Sequence, residues 1–461
     1  MRTPCHSILK RADNKLYRLQ TPQSPLVRTE GYTVFGMDQY PLGTNAMVAV
    51  ISYTGYDMED AMILNKSAVE RGLAHGIVYK TQRICLVDPK RQSTTKIFLR
   101  DPARPELARH LDCDGLPYIG RRLESEEPLY CTCNLEDGQF SVEKYKGETA
   151  YVDHVKVMEI PDRVKTSGWC GSSSQTSLLE GIRHICIMMR VPRSPTVGDK
   201  FASRAGQKGV CSYQWPLEDL PFTESGLVPD IIFNPHGYPS RMTIGMMIES
   251  MAGKAAFAHG KPMDATPFIF DENNSAIDHF GQLLERAGFN YYGNERMYSG
   301  IDGTEFEVGI FFGVVYYQRL RHMVADKYQV RTTGPVDSLT HQPVHGRKVG
   351  GGVRFGEMER DSLLAHGAAF LLQERLFNCS DRDYAHVCVR CGDLLSVTYC
   401  GSGDADLLKD PVSGLLNSFR RWRCRLCRSA ADIRLIQIPY VMRYLVSELA
   451  SVNIRVALST T

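Results

Sequence analysis

Two Cys-X-X-Cys pairs constrain this 461-residue chain more than any other feature. They read Cys388-Val-Arg-Cys391 and, after 32 intervening residues, Cys424-Arg-Leu-Cys427. Each pair presents two sulfurs from one hairpin, and two such hairpins close a tetrahedron around a zinc ion. Four thiolates leave no open coordination position, so the expected zinc is structural. Unpaired or redox cysteines are the plain alternative, and Cys400, between the two pairs, is disfavoured as a substitute ligand by its isolation. Arg390, Arg420, Arg421, Arg423, Arg425 and Arg428 make the module basic. Taken alone, the pattern says zinc ribbon and names no function.

The other ten of the 14 cysteines show no pairing logic and read as small apolar residues. The N-terminus lacks the apolar core of a signal peptide. No stretch approaches the roughly 18–20 apolar residues that cross a bilayer. Together these point to reduced thiols and a cytosolic or nuclear address. A 43% hydrophobic content over this length supports several domains with real cores. The net charge of +2 means that any nucleic-acid footprint must be a local patch.

Along the chain, residues 1–30 are polar and lack a core of their own. Met47–Tyr53 is a continuous apolar strand, and Ala61–Arg71 is expected to be a helix ended by Gly72. Between 76 and 165, alternating runs (Ile77–Val87, Tyr151–Glu159) surround a polar, proline-rich stretch, Asp88–Pro128, as in an inserted surface domain. After a Ser-rich loop at 167–177 comes an apolar strand, Ile182–Val191. Thr243 can cap a helix whose face is Ile244, Met247, Ile248 and Met251. Further expectations are a helix over Ser275–Ala287, a strand over Val308–Gln318, an amphipathic helix over Ser362–Phe377, and a last helix before a strand-like IRVAL.

Four constellations could carry chemistry. Glu59 and Asp60 follow a buried strand and a glycine turn, a place to aim oxygen ligands at Mg²⁺; a solvated acidic turn is the simpler reading of that feature alone. The run from Gly198 to Gly209 sets Lys200, Arg204 and Lys208 among glycines, without the ending of a P-loop. Arg241 stands where a helix should begin, a natural phosphate clamp, or else an ordinary salt-bridge partner. Gly346–Arg360 repeats the theme with Arg347, Lys348 and Arg354, and Arg319, Arg321, Lys327 and Arg331 add charge between. Several glycine-basic loops without bulk basicity suggest convergence on one polyanion path. His236, His341 and His345 read as hydrogen-bonded structural histidines.

Read together, five segments resemble the second-largest, β-like subunit of multisubunit DNA-directed RNA polymerases. They are SYTGYDMEDAMILNKSAVERG, GDKFASRAGQKG, PDIIFNPHGYPSRMTIGMMIESMAGK, TGPVDSLTHQPVHGRKVGGGVRFGEMERD and the Cys₄ ribbon, in family order. The wording of YPLGTNAMVAVISYTGYDMEDAMILNKSAVERG looks most like the RNA polymerase I version, with polymerases II and III as alternatives. The resemblance implies an α+β, multidomain chain. Its parts would be an N-terminal remnant (1–30), a β-rich hybrid-binding core of double-psi β-barrel type (31–75 and 191–360), a wall or flap insertion (76–190), and a helical anchor and clamp with the ribbon (361–461).

The same resemblance implies roles. Glu59 and Asp60 would lie near the nucleotide-delivered metal, Lys200 and Lys208 at the RNA end of the hybrid, and Arg241 at the incoming triphosphate. Arg204, Arg347, Lys348 and Arg354 would contact nucleic acid. The catalytic Mg²⁺ would be held mainly by the largest subunit, whose aspartate loop is not in this sequence, so the chain is not expected to be active alone. Its partners would be that subunit, smaller assembly subunits, template DNA, the RNA–DNA hybrid and nucleoside triphosphates, in the nucleus and nucleolus. A full family member is much longer, so an N-terminally shortened form is expected. A non-catalytic zinc-containing nucleic-acid or subunit-binding module is the reading from another class, and a self-sufficient nucleotide-binding enzyme is disfavoured.

Overall fold

Apolar runs that are buried on both faces need partner strands on both sides, and this chain supplies them from distant segments. The computed structural model describes residues 13–86, 96–157, 184–399 and 422–459. The Ser-rich loop, Cys400, Arg420 and Arg421 lie outside those residues. The chain divides into two compact units, 1–327 and 328–461. No helix among the described residues is long and apolar enough to cross a membrane.

The first unit is built on a ring of strands. In lateral order they are Lys200–Ser203, Lys208–Trp215, Ala61–Asn65, Ile231–Phe233, Thr44–Val50 and Ile310–Arg319, and the last pairs again with the first. Asn294–Glu295 extends the sheet beside Ile310–Arg319. Two neighbouring pairs are parallel, Lys208–Trp215 with Ala61–Asn65 and Ile231–Phe233 with Thr44–Val50. Ala46, Val48, Met62, Leu64, Phe201, Cys211, Phe233, Val315 and Tyr317 fill one core inside this ring.

The expected helix over Ala61–Arg71 is corrected. Ala61–Asn65 is a central strand, and only Lys66–Glu70 is helical. A short apolar run is ambiguous by pattern, and pairing on both edges decides it. Asn65 marks the switch, since its Oδ1 accepts from the backbone N–H of Ser67 at 3.0 Å.

The long helix Ile244–His259 packs across Ile310–Arg319 through small residues. A Cβ on Gly253 would collide with the Val314 carbonyl, and one on Gly313 with Ser250. Its buried residues are Met246 and Ser250 through Ala256. Of the face expected from sequence, Met251 is buried and Ile248 packs against the same core, while Ile244 and Met247 turn outward and are exposed. Backbone proximity selected small residues over large apolar ones. The helix Ala276–Arg286 matches its expected span, with Ser275 as its cap.

The insertion forms an antiparallel sheet of Gly76–Cys85, His184–Arg193, Ala150–Val157 and Arg122–Leu123, edged by Lys15–Leu19. A second small sheet joins Lys96–Phe98, Pro128–Asn134 and Phe140–Lys144. Arg193 ties the insertion to the ring's end, reaching Glu148 at 2.6 Å and Asp326 at 3.2 Å.

Where the insertion returns to the ring stands a second ion pair. Arg319 and Asp199 are each 1% exposed and 2.6 Å apart. Arg319 also donates to the carbonyls of Ala74 at 3.1 Å and Ser194 at 3.2 Å. Asp199 accepts from the backbone N–H groups of Thr196 at 3.1 Å and Val324 at 3.0 Å. Arg319 is thus not part of a surface basic path.

In the second unit, Arg382–Cys388 pairs with Ile433–Pro439 and Val397–Tyr399 with Trp422–Cys424. The helix Tyr440–Ser451 covers this pair through Val446 against Ala385 and Val387. The single helix expected over Ser362–Phe377 is instead broken. Glu357–His366 ends at Gly367, whose φ of 81° only glycine takes readily, and Ala369–Gln373 restarts. IRVAL forms no strand, although the Leu458 N–H donates to Gly392 O at 2.7 Å.

Removing one partner of a fully buried pair leaves the other charge stranded. Asp199→Ala is therefore expected to cost about 3–5 kcal/mol in chemical denaturation. Asp383→Ala, which breaks the exposed Arg443–Asp383 pair, should cost about 0–1 kcal/mol.

Candidate functional site

The loop that joins Thr44–Val50 to Ala61–Asn65 crosses one rim of the ring. Its shape is set by Asp57, which is buried. Asp57 Oδ2 accepts from the Tyr53 N–H at 2.8 Å, and its carbonyl accepts from Asn234 Nδ2 at 2.8 Å. Burial pushes the Asp57 carboxyl above its usual range, an effect that the bond from the Tyr53 N–H opposes. With Asp57 turned inward, Glu59 and Asp60 point outward and are exposed, Glu59 from a left-handed backbone with φ of 54°.

Opposite them, the short helix Gly237–Arg241 ends where Ile244–His259 begins. Arg241 Nη2 lies 2.5 Å from Asp60 Oδ1. The two acids, Asn234, His236, Ser240 and Arg241 line an open cleft of about 550 Å³. His236 is held by Asn234, with Nδ1 2.7 Å from Asn234 Oδ1.

Lys208 comes alongside this cleft through the backbone. The Val210 N–H donates to the Asp60 carbonyl at 2.9 Å. Gly209 faces the same carbonyl at a distance of 2.9 Å from where a Cβ would stand, so a side chain there would displace the acidic loop. Lys200 pairs with Val210 across the hairpin. Both lysines are exposed, and their charges reach His322, whose pKa is held down chiefly by Lys327, with Lys200, Arg321 and Lys208 contributing.

Arg204 is not in the cleft. Its guanidinium is 2.6 Å from Glu249 Oε1 and 5.1 Å from the Tyr316 ring centre, beside a separate, more apolar hollow. Arg347, Lys348 and Arg354 are exposed in the second unit. Their loop is pinned by Gln329, whose side-chain amide donates to the Gly351 carbonyl at 2.8 Å and that of Gly352 at 2.9 Å. His341 stacks on Tyr440 with ring centres 3.5 Å apart. Gln207, buried between the hairpin and Arg241, was not singled out from sequence: a glutamine in a basic loop carries no pattern that distinguishes it.

The second candidate site is a metal centre. Cys388 ends Arg382–Cys388 and Cys424 ends Trp422–Cys424, and each leads into a tight turn carrying Cys391 or Cys427. Gly392 closes the first turn, its N–H donating to the Cys388 carbonyl at 2.8 Å. The four sulfurs all lie within 4.8 Å of one another, with Cys391 and Cys424 Sγ 3.6 Å apart. Zinc–sulfur bonds of about 2.3 Å require tetrahedral sulfurs about 3.8 Å apart, so this donor set fits.

The RNA polymerase Rpb2 domain 6 family model matches residues 1–349, and the domain 7 model matches 351–461. The human DNA-directed RNA polymerase I subunit RPA2 is 57% identical over 450 residues, covering 97% of this chain and 38% of that protein. The Caenorhabditis elegans homolog is 55% identical, covering 99% and 39%, and the Drosophila melanogaster subunit 54%, covering 98% and 38%. The chain thus spans about two fifths of the length of these relatives.

Because the Arg241–Asp60 pair is exposed on both sides, it contributes little to stability. Asp60→Ala is expected to move the unfolding free energy by under about 1 kcal/mol in urea titration, whereas Arg241→Ala, which also leaves the buried Gln207 Oε1 without its donor, should cost about 1–3 kcal/mol. A larger loss would mean that the cleft residues hold the fold together.

Proposed function

The chain belongs to the RNA polymerase Rpb2 family, and from that premise we propose that it serves as a DNA-directed RNA polymerase subunit, of the polymerase I type, in the nucleus and nucleolus. The observation that carries the reading is the cleft at the ring's rim, where Glu59 and Asp60 face Arg241 beside the Lys200–Lys208 hairpin. Carboxylates opposite a guanidinium suit a metal-bound triphosphate, since the acids favour the cation and the arginine favours the phosphates. Phosphoryl transfer rests mainly on positioning and charge stabilisation, which such groups supply.

In this reading the ring is the hybrid-binding core of double-psi type, 76–190 the wall, and 361–461 the anchor and clamp. Lys200 and Lys208 bind the RNA end, and Arg204, Arg347, Lys348 and Arg354 contact nucleic acid or its approach. Mg²⁺ would supply Lewis-acid charge stabilisation, with Glu59 and Asp60 holding the ion that arrives with the nucleotide and the largest subunit holding the other. Zinc held by Cys388, Cys391, Cys424 and Cys427 would be structural.

The chain by itself should make no RNA on a template with Mg²⁺. Assembled with the remaining polymerase subunits, it should support elongation, and Lys208→Ala and Arg241→Ala should each lower its kcat/KM about 10–100-fold, as expected for loss of a charged contact to the RNA end or the triphosphate. Equal elongation by both variants would refute the site assignment. Elemental analysis should find one zinc per chain, lost in Cys424→Ser together with thermal resistance of residues 328–461.

A further inference from the structure

One buried polar side chain at the cleft has no part in the chemistry just described. Gln207 is fully buried, at 0% exposure. Its Oε1 accepts from Arg241 Nη1 at 3.0 Å. Its Nε2 donates to the Gly237 carbonyl at 3.3 Å and to Thr243 Oγ1. Its own carbonyl accepts from the Ser203 N–H at 3.2 Å, which fixes it to the hairpin that carries Lys200 and Lys208.

These bonds account for an oddity in the neighbouring helix. Thr243 occupies the position before Ile244–His259 yet makes no capping bond to it. Its hydroxyl is turned instead to Gln207. One amide therefore spans the first residue of Gly237–Arg241, its last side chain, and the start of the next helix.

Arg241 is held on two sides of very different character. Toward solvent, its Nη2 meets Asp60, with the two side chains 39% and 52% exposed. Such a pair is worth little and exchanges readily for a phosphate. Toward the interior, Nη1 meets a neutral acceptor that water does not reach, and a hydrogen bond of this kind to a charged donor is costly to leave unmade. A glutamine suits that place, since it aims the guanidinium without neutralising it.

We infer that Gln207 is a positioning residue for Arg241, holding the guanidinium at the cleft while its outer face trades Asp60 for the triphosphate of the incoming nucleotide. This rests on the reading of Arg241 as the triphosphate contact. It adds a coupling, because the amide that aims Arg241 also belongs to the hairpin that bears Lys208. Disturbing the hairpin would therefore misaim the arginine.

The test is a double-mutant cycle in the assembled polymerase, reading KM and kcat for nucleoside triphosphate during elongation. Gln207→Met, similar in volume and without the hydrogen bonds, should raise KM about tenfold and change kcat less. Arg241→Met should raise it at least as much, and the double variant should be no worse than Arg241→Met, because Gln207 acts through the residue already removed. Thr243→Val removes one of the amide's two anchors, leaving the Gly237 carbonyl, without touching the hairpin, and should raise KM about threefold in wild type and not at all in Arg241→Met. Additive effects, or an unchanged KM in both Gln207→Met and Thr243→Val, overturn the inference while leaving the function of Arg241 intact. An unchanged KM in Arg241→Met overturns the underlying reading, and this one with it.

Discussion

The pair formed by Asp199 and Arg319 is the contact on which the first unit's geometry depends. Two charges removed from water must be matched by each other and by every nearby dipole, and here they are. Arg319 is the last residue of one ring strand and Asp199 immediately precedes another. Between them they take up carbonyls from Ala74 and Ser194 and amides from Thr196 and Val324. The pair thus fastens the seam where the ring closes to the chain entering and leaving the insertion. A hydrophobic plug would fill the same space, but it would not set the direction of four backbone segments.

That seam adjoins the charged hairpin. Lys200 follows Asp199 directly, so the backbone that buries one acid exposes one cation. A similar alternation operates in the acidic loop, where burial of Asp57 turns Glu59 and Asp60 outward. In both places a polar group committed to the interior determines where its neighbours stand, and Gln207 does the same for Arg241. The cleft's charges are placed by buried polar residues one to three positions away or, for Arg241, directly beneath.

Much of this was legible in the residues themselves. The cysteine pairs announced their cluster because metal-ligand spacing is local and chemically specific. Long runs such as Val308–Gln318 announced strands, here Ile310–Arg319, and the helix expected over Ser275–Ala287 is found at Ala276–Arg286. The failures share a cause. Ala61–Asn65 is a strand because segments far away in sequence pair with both of its edges. The buried stripe of Ile244–His259 follows glycine and alanine because a backbone passes close. Arg319 reads as one more surface cation until Asp199 is seen beneath it, and Gln207 has no signature of any kind. Each depends on a contact between residues distant in the chain, which no window of sequence contains.

Ring closure carries a consequence for how the protein comes to exist. Strands Thr44–Val50 and Ala61–Asn65 must find Ile231–Phe233 and Lys208–Trp215 across the whole insertion, and then Ile310–Arg319 must return to pair with Thr44–Val50 and with Lys200–Ser203 to close the ring. Such non-local pairing pays its loop-closure entropy before any of its contacts are gained, so it is slow and cooperative. During synthesis the early strands wait with unpaired edges until residue 319 has emerged, the period in which edge-to-edge association is most dangerous. Since Asp60 and Arg241 meet only once Ala61–Asn65 has paired with Ile231–Phe233, the cleft is completed only after the whole insertion has been made, and a chain cut short before then lacks a finished anion site to misuse.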